Sequence, residues 1–599
     1  MEGTPLKNSF RFDGRVVVVT GSGTGIGQSI AKRFAESGAS IIILGRRTEP
    51  LQKTASDLKE IISKVGSNGS VRIFSGVDVS DENAIDKMFH SIKEEIGNVD
   101  ILVNNAGVSG PVKIFTNSDF KEFKECVAIH LTGTYWTTVR CLQTMKEGSK
   151  IITISTFFTE ENRFEQRPYR FRTPYTSAQG AKNRLAEALA WELVPYGIRS
   201  VATNPGPVHS DRIYKTVYPK AAAEFLRIGG YPGLTSSQID RISPMLLELL
   251  GEDESSREKG LMEISKTISE STNQKSSKLE EMSLMLKGLL EKIQEIAEKV
   301  QTNTKKMIVD EEFLSQDDVA EMVLNLSQDS ISRLINGRVV PNDRVFYPVR
   351  PIVGTFPHIL KDVKLSDKVV VIIINSTAEK DHQRGKLVAS SLNGKVRQLI
   401  LLTLDKKDLH HYQEFHCHSL DLSDEDAVNR IFQTAKDRFS SVDGIVTLTG
   451  EFDYNVPLLS LNRRQWDELV EKYLMTPALV TREAVKIMAP SGALLEPSLF
   501  RGSKGKVIII GPDAPMGKKI SGLVRARSEV FRGALRPFNA TVNQELRDVL
   551  NSNIRQYLLL CGNMEGNIPS EERIRDVVLN LLSDYYEGNN QTIFYPDEF

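Results

Sequence analysis

Cysteine is scarce in this chain: Cys126, Cys141, Cys417 and Cys561 are the only four in 599 residues, and no two form a Cys-x-x-Cys pair. That excludes a disulfide framework and a thiolate zinc site, and it suits a reducing compartment. No apolar run of about 18 residues is present to span a bilayer. The opening residues MEGTPLKNSFRFDG lack the basic-then-apolar pattern of a secretion signal, so the expected location is the cytoplasm. An excess of one charge is missing too. Seventy-six Lys and Arg stand against 77 Asp and Glu, for a net charge of -1, without the basic surplus that nucleic acid requires.

What remains is an ordinary globular composition, 40% hydrophobic and 26% charged, in a chain too long for one core. In residues 1–229 short apolar runs (RVVVVT, SIIILG, DILVNN, KIITIS) alternate with amphipathic stretches such as GQSIAKRFAESG. Apolar runs of this length fit strands buried on both faces of a parallel sheet, and the alternation predicts a doubly wound α/β lobe. Residues 351–599 repeat the order with KVVVIIIN, QLILLTL, GIVTLTG and KVIIIG. GVDVSDENAIDKMFHSI before VDILVNNAG parallels SLDLSDEDAVNRIFQTA before VDGIVTLTG, the mark of a duplication. The expected fold is two Rossmann-type lobes joined by a helical insertion, residues 230–350, which returns to the first lobe. Within it Leu279, Met282, Leu286, Leu289, Ile293, Ile296 and Val300 alternate steps of three and four. That stripe fits a helix packed on its own chain, with a contact between subunits of a homo-oligomer as the alternative.

Thr20-Gly21-Ser22-Gly23-Thr24-Gly25-Ile26-Gly27 follows the first strand and opens a helix. Glycines let backbone approach a pyrophosphate, and the helix N-terminus meets its charge, so this loop reads as a dinucleotide site. The second strand ends in Arg46-Arg47, with no acid to hold an adenosine 2′-hydroxyl. A guanidinium there suits a 2′-phosphate, which favours NADP(H) over NAD. The plainer alternative is two arginines covering a surface.

The T-G-x-x-x-G-I-G loop, Asp78-Val79, Asn104-Asn105-Ala106-Gly107 and Asn204-Pro205-Gly206 occur in the order seen in the short-chain dehydrogenases/reductases, which the first lobe resembles over about 200 residues. The resemblance implies that Asp78 holds the adenine and that Pro205-Gly206 lines the nicotinamide side. It implies a tyrosine acid, here Tyr175, and a serine that positions substrate oxygen, here Ser155. Two departures stand out. The position four after the tyrosine is Gln179 where the family has lysine, and His130 replaces the usual asparagine. A tyrosine titrates near 10 unassisted, so the missing cation matters. Three readings stay open: His130 and Gln179 compensate, Lys182 one turn further along the helix stands in, or the lobe binds nucleotide without turnover.

The tandem arrangement, the stretch PYRFRTPY, the run NPGPVHSDRI and the helical insertion resemble the bifunctional bacterial malonyl-CoA reductases, most closely their thioester-reducing half. That implies an acyl-CoA or semialdehyde substrate, no nucleic acid or membrane partner, and Arg212 as a partner for a substrate carboxylate. A non-catalytic dinucleotide scaffold and an alcohol dehydrogenase of unrelated substrate are the alternatives. In the second lobe Asn375-Ser376-Thr377-Ala378-Glu379-Lys380 stands where glycines are needed, which predicts no dinucleotide binding there. The histidines 410, 411, 416 and 418 beside Cys417 read as solvent-edge residues rather than metal ligands.

Overall fold

The computed structural model describes residues 11–159, 169–210, 213–272, 279–345, 359–360, 362–516, 521–564, 570–586 and 591–596. The first sheet is built from β1 (Val16–Thr20), β2 (Ser40–Gly45), β3 (Val71–Ser75), β4 (Ile101–Asn104), β5 (Lys150–Ile154), β6 (Arg199–Pro205) and β7 (Val339–Asn342). All are parallel, in the order β3-β2-β1-β4-β5-β6-β7. Val17, Val18 and Val19 of β1 are fully buried, because helices cover both faces of a parallel sheet. The order reverses direction between β1 and β4, and the crevice beyond the carboxyl ends at such a switch point is where ligands bind.

The second sheet comprises β8 (Val369–Ile374), β9 (Gln398–Thr403), β10 (Cys417–Ser419), β11 (Gly444–Leu448) and β12 (Lys504–Ile510). A small pair, β13 (Ala514–Met516) and β15 (Gly562–Met564), flanks β14 (Asn553–Leu559), and β16 (Ile593–Phe594) closes the edge. The main order is β10-β9-β8-β11-β12-β14-β16, which repeats the first sheet strand for strand. The duplication read from sequence is therefore one of fold as well.

The lobes share one core. The helix Thr173–Leu193, between β5 and β6, lies against its counterpart Gly522–Gln544, between β12 and β14. They touch at glycines: a Cβ on Gly180 would lie 2.1 Å from the Gly533 carbonyl oxygen, and one on Gly533 3.0 Å from that of Gly180. Around this contact Trp466 stacks on Tyr135 with centroids 3.7 Å apart, and the Tyr135 hydroxyl donates to the Leu458 carbonyl at 2.7 Å. Glu192 of the first lobe accepts from the backbone of Leu458 and Leu459 and from Arg527.

The heptad stripe packs within the chain. Leu286, Leu289 and Ile293 of the helix Leu279–Lys305 share a core with Leu226 of the helix Tyr218–Gly229 and with Ile242, Leu246, Leu261 and Ile264 of the insertion's other helices. The chain then returns through the helix Gln316–Leu326, whose Ala320 and Val323 pack with Ile30 and Phe34 of the helix Gly25–Glu36, before β7 pairs with β6. No helix among the described residues is long and apolar enough to cross a membrane.

Candidate active site

One cleft of about 1150 Å³ runs along the carboxyl ends of β1, β2, β4, β5 and β6. At one end it is lined by the glycine loop with Arg46, Arg47, Asp78 and Val79. At its middle lie Ala106, Gly107, His130, Ser155, Tyr175, Gln179, Lys182, Pro205 and Gly206. Gly21 and Gly25 both sit at φ +64°, the left-handed region that glycine tolerates without strain. A Cβ on Gly27 would meet Asn105 Nδ2 at 2.4 Å and the Gly21 carbonyl oxygen at 2.5 Å, so the turn is as tight as its composition allows. This is a cradle that side chains would fill.

Three residues expected to touch cofactor hold the loop instead. Thr20 Oγ1 accepts from the backbone N–H of Asn105 and Ala106, at 2.9 and 2.8 Å. Ser22 Oγ accepts from the Leu44 N–H at 3.1 Å, tying the glycine turn to β2. Asn104 is turned inward and its Nδ2 donates to Thr138 Oγ1 at 2.9 Å. All three are buried behind the cleft wall. One residue missed was Asn105, whose Nδ2 donates to the Thr20 and Gly21 carbonyls and stitches β4 to the loop.

Arg46 and Arg47 are exposed at the cleft mouth; Arg46 lies 3.6 Å from Asp78, whose other oxygen accepts from Ser80. Deeper in, the Tyr175 ring meets the edge of His130, with centroids 5.2 Å apart. His130 sits in a widened helical turn, Ala128–Thr132, and its Nε2 lies 2.8 Å from the Val108 carbonyl oxygen, which fixes the ring against backbone. Pro174 opens the catalytic-type helix, so Tyr169 falls outside it. Ser155 Oγ donates to the Gln179 carbonyl at 3.0 Å. Gln179 Oε1 is buried without a hydrogen-bond partner among the described residues, an acceptor facing the cleft.

Lys182 does not replace the family lysine in kind. Only 1% of it is exposed, and its Nζ donates to the Ile154 carbonyl at 2.6 Å, next to Ser155. Burial pushes its pKa down to about 7. A cation that sequence reasoning passed over lies on the tyrosine ring. Arg172, buried and lining the cleft, lays its guanidinium over the Tyr175 ring at 4.3 Å and over Tyr169 at 5.0 Å. It lies within the stretch PYRFRTPY, which stands out in the sequence as a whole without singling out Arg172. Arg170, His209 and Lys215 line the same end, and Val300 and Thr304 of the heptad helix cover it. Arg212 lies outside the described residues.

The short chain dehydrogenase family matches residues 15–218, and the enoyl-(acyl carrier protein) reductase family matches residues 376–508. An uncharacterized oxidoreductase of Thermotoga maritima is 33% identical over 196 residues, covering 32% of this chain and 71% of its own length. The chain therefore belongs to the short chain dehydrogenase family of oxidoreductases. Its tandem architecture is shared with two solved structures. The N-domain with NADP of bacterial malonyl-CoA reductase superposes with a TM-score of 0.69 at 15% identity, over 98% of each chain. The C-domain with NADP gives 0.70 at 16% identity, over 97% of this chain and 98% of that one. At such identity the likeness is one of fold, and it is as good for either domain.

Proposed function

We propose that the chain is an NADPH-dependent reductase of a short acyl-CoA thioester, converting malonyl-CoA to malonate semialdehyde, with onward reduction to 3-hydroxypropionate as a further capacity of the same lobe. The observation that carries this reading is the continuity of one cleft: Arg46 and Arg47 beside Asp78 at one end, Ser155 and Tyr175 at the middle, and a cluster of cations at the other. The glycine cradle fits a pyrophosphate, Arg46 and Arg47 suit a 2′-phosphate, and the orphaned Gln179 Oε1 can accept from a ribose hydroxyl. When bound, NADPH supplies the hydride. One thioester, one NADPH and one proton then give aldehyde, free thiol and NADP⁺.

The residues have separable tasks. Tyr175 and Ser155 donate to the oxygen that gains charge as the carbonyl carbon becomes tetrahedral. For Ser155 this means turning its proton away from the Gln179 carbonyl. Arg172 would hold a substrate carboxylate, with Arg212 as a further candidate and Arg170 sharing its charge with Asp548; Arg172 also stacks on the Tyr175 ring. Lys182 holds the Ile154 carbonyl and so the end of β5 that carries Ser155.

NADPH consumption with malonyl-CoA, and separately with malonate semialdehyde, tests this directly. Turnover with malonyl-CoA should fall roughly a hundred- to ten-thousand-fold in Tyr175→Phe, the usual contribution of a general acid. Absence of turnover with either substrate, alongside tight NADPH binding, overturns the proposal. It would favour the second reading, a dinucleotide-binding scaffold, for which the committed protons of Ser155 and Lys182 are the supporting observations.

A further inference from the structure

In the second lobe, where the first has its glycine loop and Arg46-Arg47, the helix Glu379–Leu392 and the turn Lys406–Tyr412 after β9 bring together His382, Asp408 and His411. One ligating atom from each lies within 4.8 Å of the others. His382 Nε2 is 3.5 Å from Asp408 Oδ2, and His411 Nε2 is 3.5 Å from Glu379 Oε2. Four donors around an ion at zinc distances sit about 3.4 Å apart, so the set needs only a small contraction.

The tautomer supports a ligand role. The buried Tyr412 hydroxyl donates to the His382 carbonyl at 3.1 Å, so it accepts from His382 Nδ1–H, 3.0 Å away. That leaves the Nε2 lone pair facing the carboxylate oxygen. Neither Nε2 nor Asp408 Oδ2 has a hydrogen-bond partner among the described residues, and His382 is 1% exposed. The Tyr412–Nδ1 contact is the outer support that metal-bound histidines commonly have.

We propose that His382, Asp408 and His411, with Glu379 as the fourth donor, form a structural site for one zinc-class divalent ion. Two imidazoles with carboxylates select such an ion over magnesium or calcium. It clips the first turn of the helix Glu379–Leu392 to the segment after β9, closing in the second lobe the ground that the first lobe leaves open.

The test uses tag-free full-length protein, stripped with chelator and titrated with Co²⁺ and with Zn²⁺. Binding of one equivalent is expected, with the visible ligand-field bands of four-coordinate cobalt and an upward shift in the thermal transition. His411→Ala, at a half-buried position, and Asp408→Asn, close to isosteric, should each weaken binding at least tenfold, and Tyr412→Phe about tenfold. NADPH binding in the first lobe should not change. No uptake at one equivalent overturns the proposal. So does uptake that survives His411→Ala and Asp408→Asn but vanishes in His416→Ala/His418→Ala, whose Nε2 atoms lie 3.1 Å apart and offer a competing pair.

Discussion

The two lobes have the same strand order and treat the same crevice in opposite ways. In the first, glycines and small residues leave backbone open to the cleft, and the buried cation Lys182 has a backbone carbonyl and no carboxylate as partner among the described residues. In the second, Gly450 is pressed by Asp381 and Ser376, and the buried cation Arg384 is held by Asp513 and Glu571 in four hydrogen bonds of 2.6–3.1 Å. Charge that is fully paired stabilises a fold and does little else. Charge left short of partners costs stability but stays free to act, which is where perturbed groups at functional sites come from.

That contrast can be broken at the lobe interface first. Gly180→Leu puts side-chain atoms where the Gly533 backbone lies and should cost on the order of 3 kcal/mol, read as a lowered or split unfolding transition in calorimetry. Next comes the cradle. Gly27→Val should weaken NADPH binding about a hundredfold, roughly 2.7 kcal/mol, in a fluorescence titration. Thr377→Gly with Glu379→Gly in the second lobe should create no second binding event, because Asn375 and Ser376 remain tied to Lys472 and Asp381.

The unpaired lysine gives a pH signature. Its folded pKa of about 7 lies below its unfolded value, so between pH 7 and the ordinary lysine range the unfolded chain holds the extra proton. Stability should then climb with pH by about 1.4 kcal/mol per unit, and Lys182→Met should remove that slope from denaturant titrations. The smallest effect belongs to the exposed pair: Arg46→Ala with Arg47→Ala should reduce the preference for NADPH over NADH by about five- to tenfold.

Much of this architecture is legible in one sequence because β-branched runs and glycine turns are local signals. The alternation of strands and helices, the duplication and the lack of glycines in the second loop all follow from them. What was not legible depends on what meets across the chain. Thr20, Ser22 and Asn104 belong to the motif, yet they turn behind the wall and hold β1, β2 and β4 together. Arg172 reaches the tyrosine only because the helix begins at Thr173 and aims the preceding residue back over the ring. His411 looked like one of a run of surface histidines. Its neighbours His382 and Asp408 come from a different helix and from three residues earlier, a meeting that no spacing announces.

The reciprocal approach of Gly180 and Gly533 places the two halves of the chain as the subunits of a twofold dimer would be placed. Here a covalent tether joins them, so the association is unimolecular and does not weaken on dilution. An identical pair must keep or lose a site in both copies at once. A tethered pair can let one copy change its first loop while the other keeps its glycine cradle, so the two folds diverge without parting.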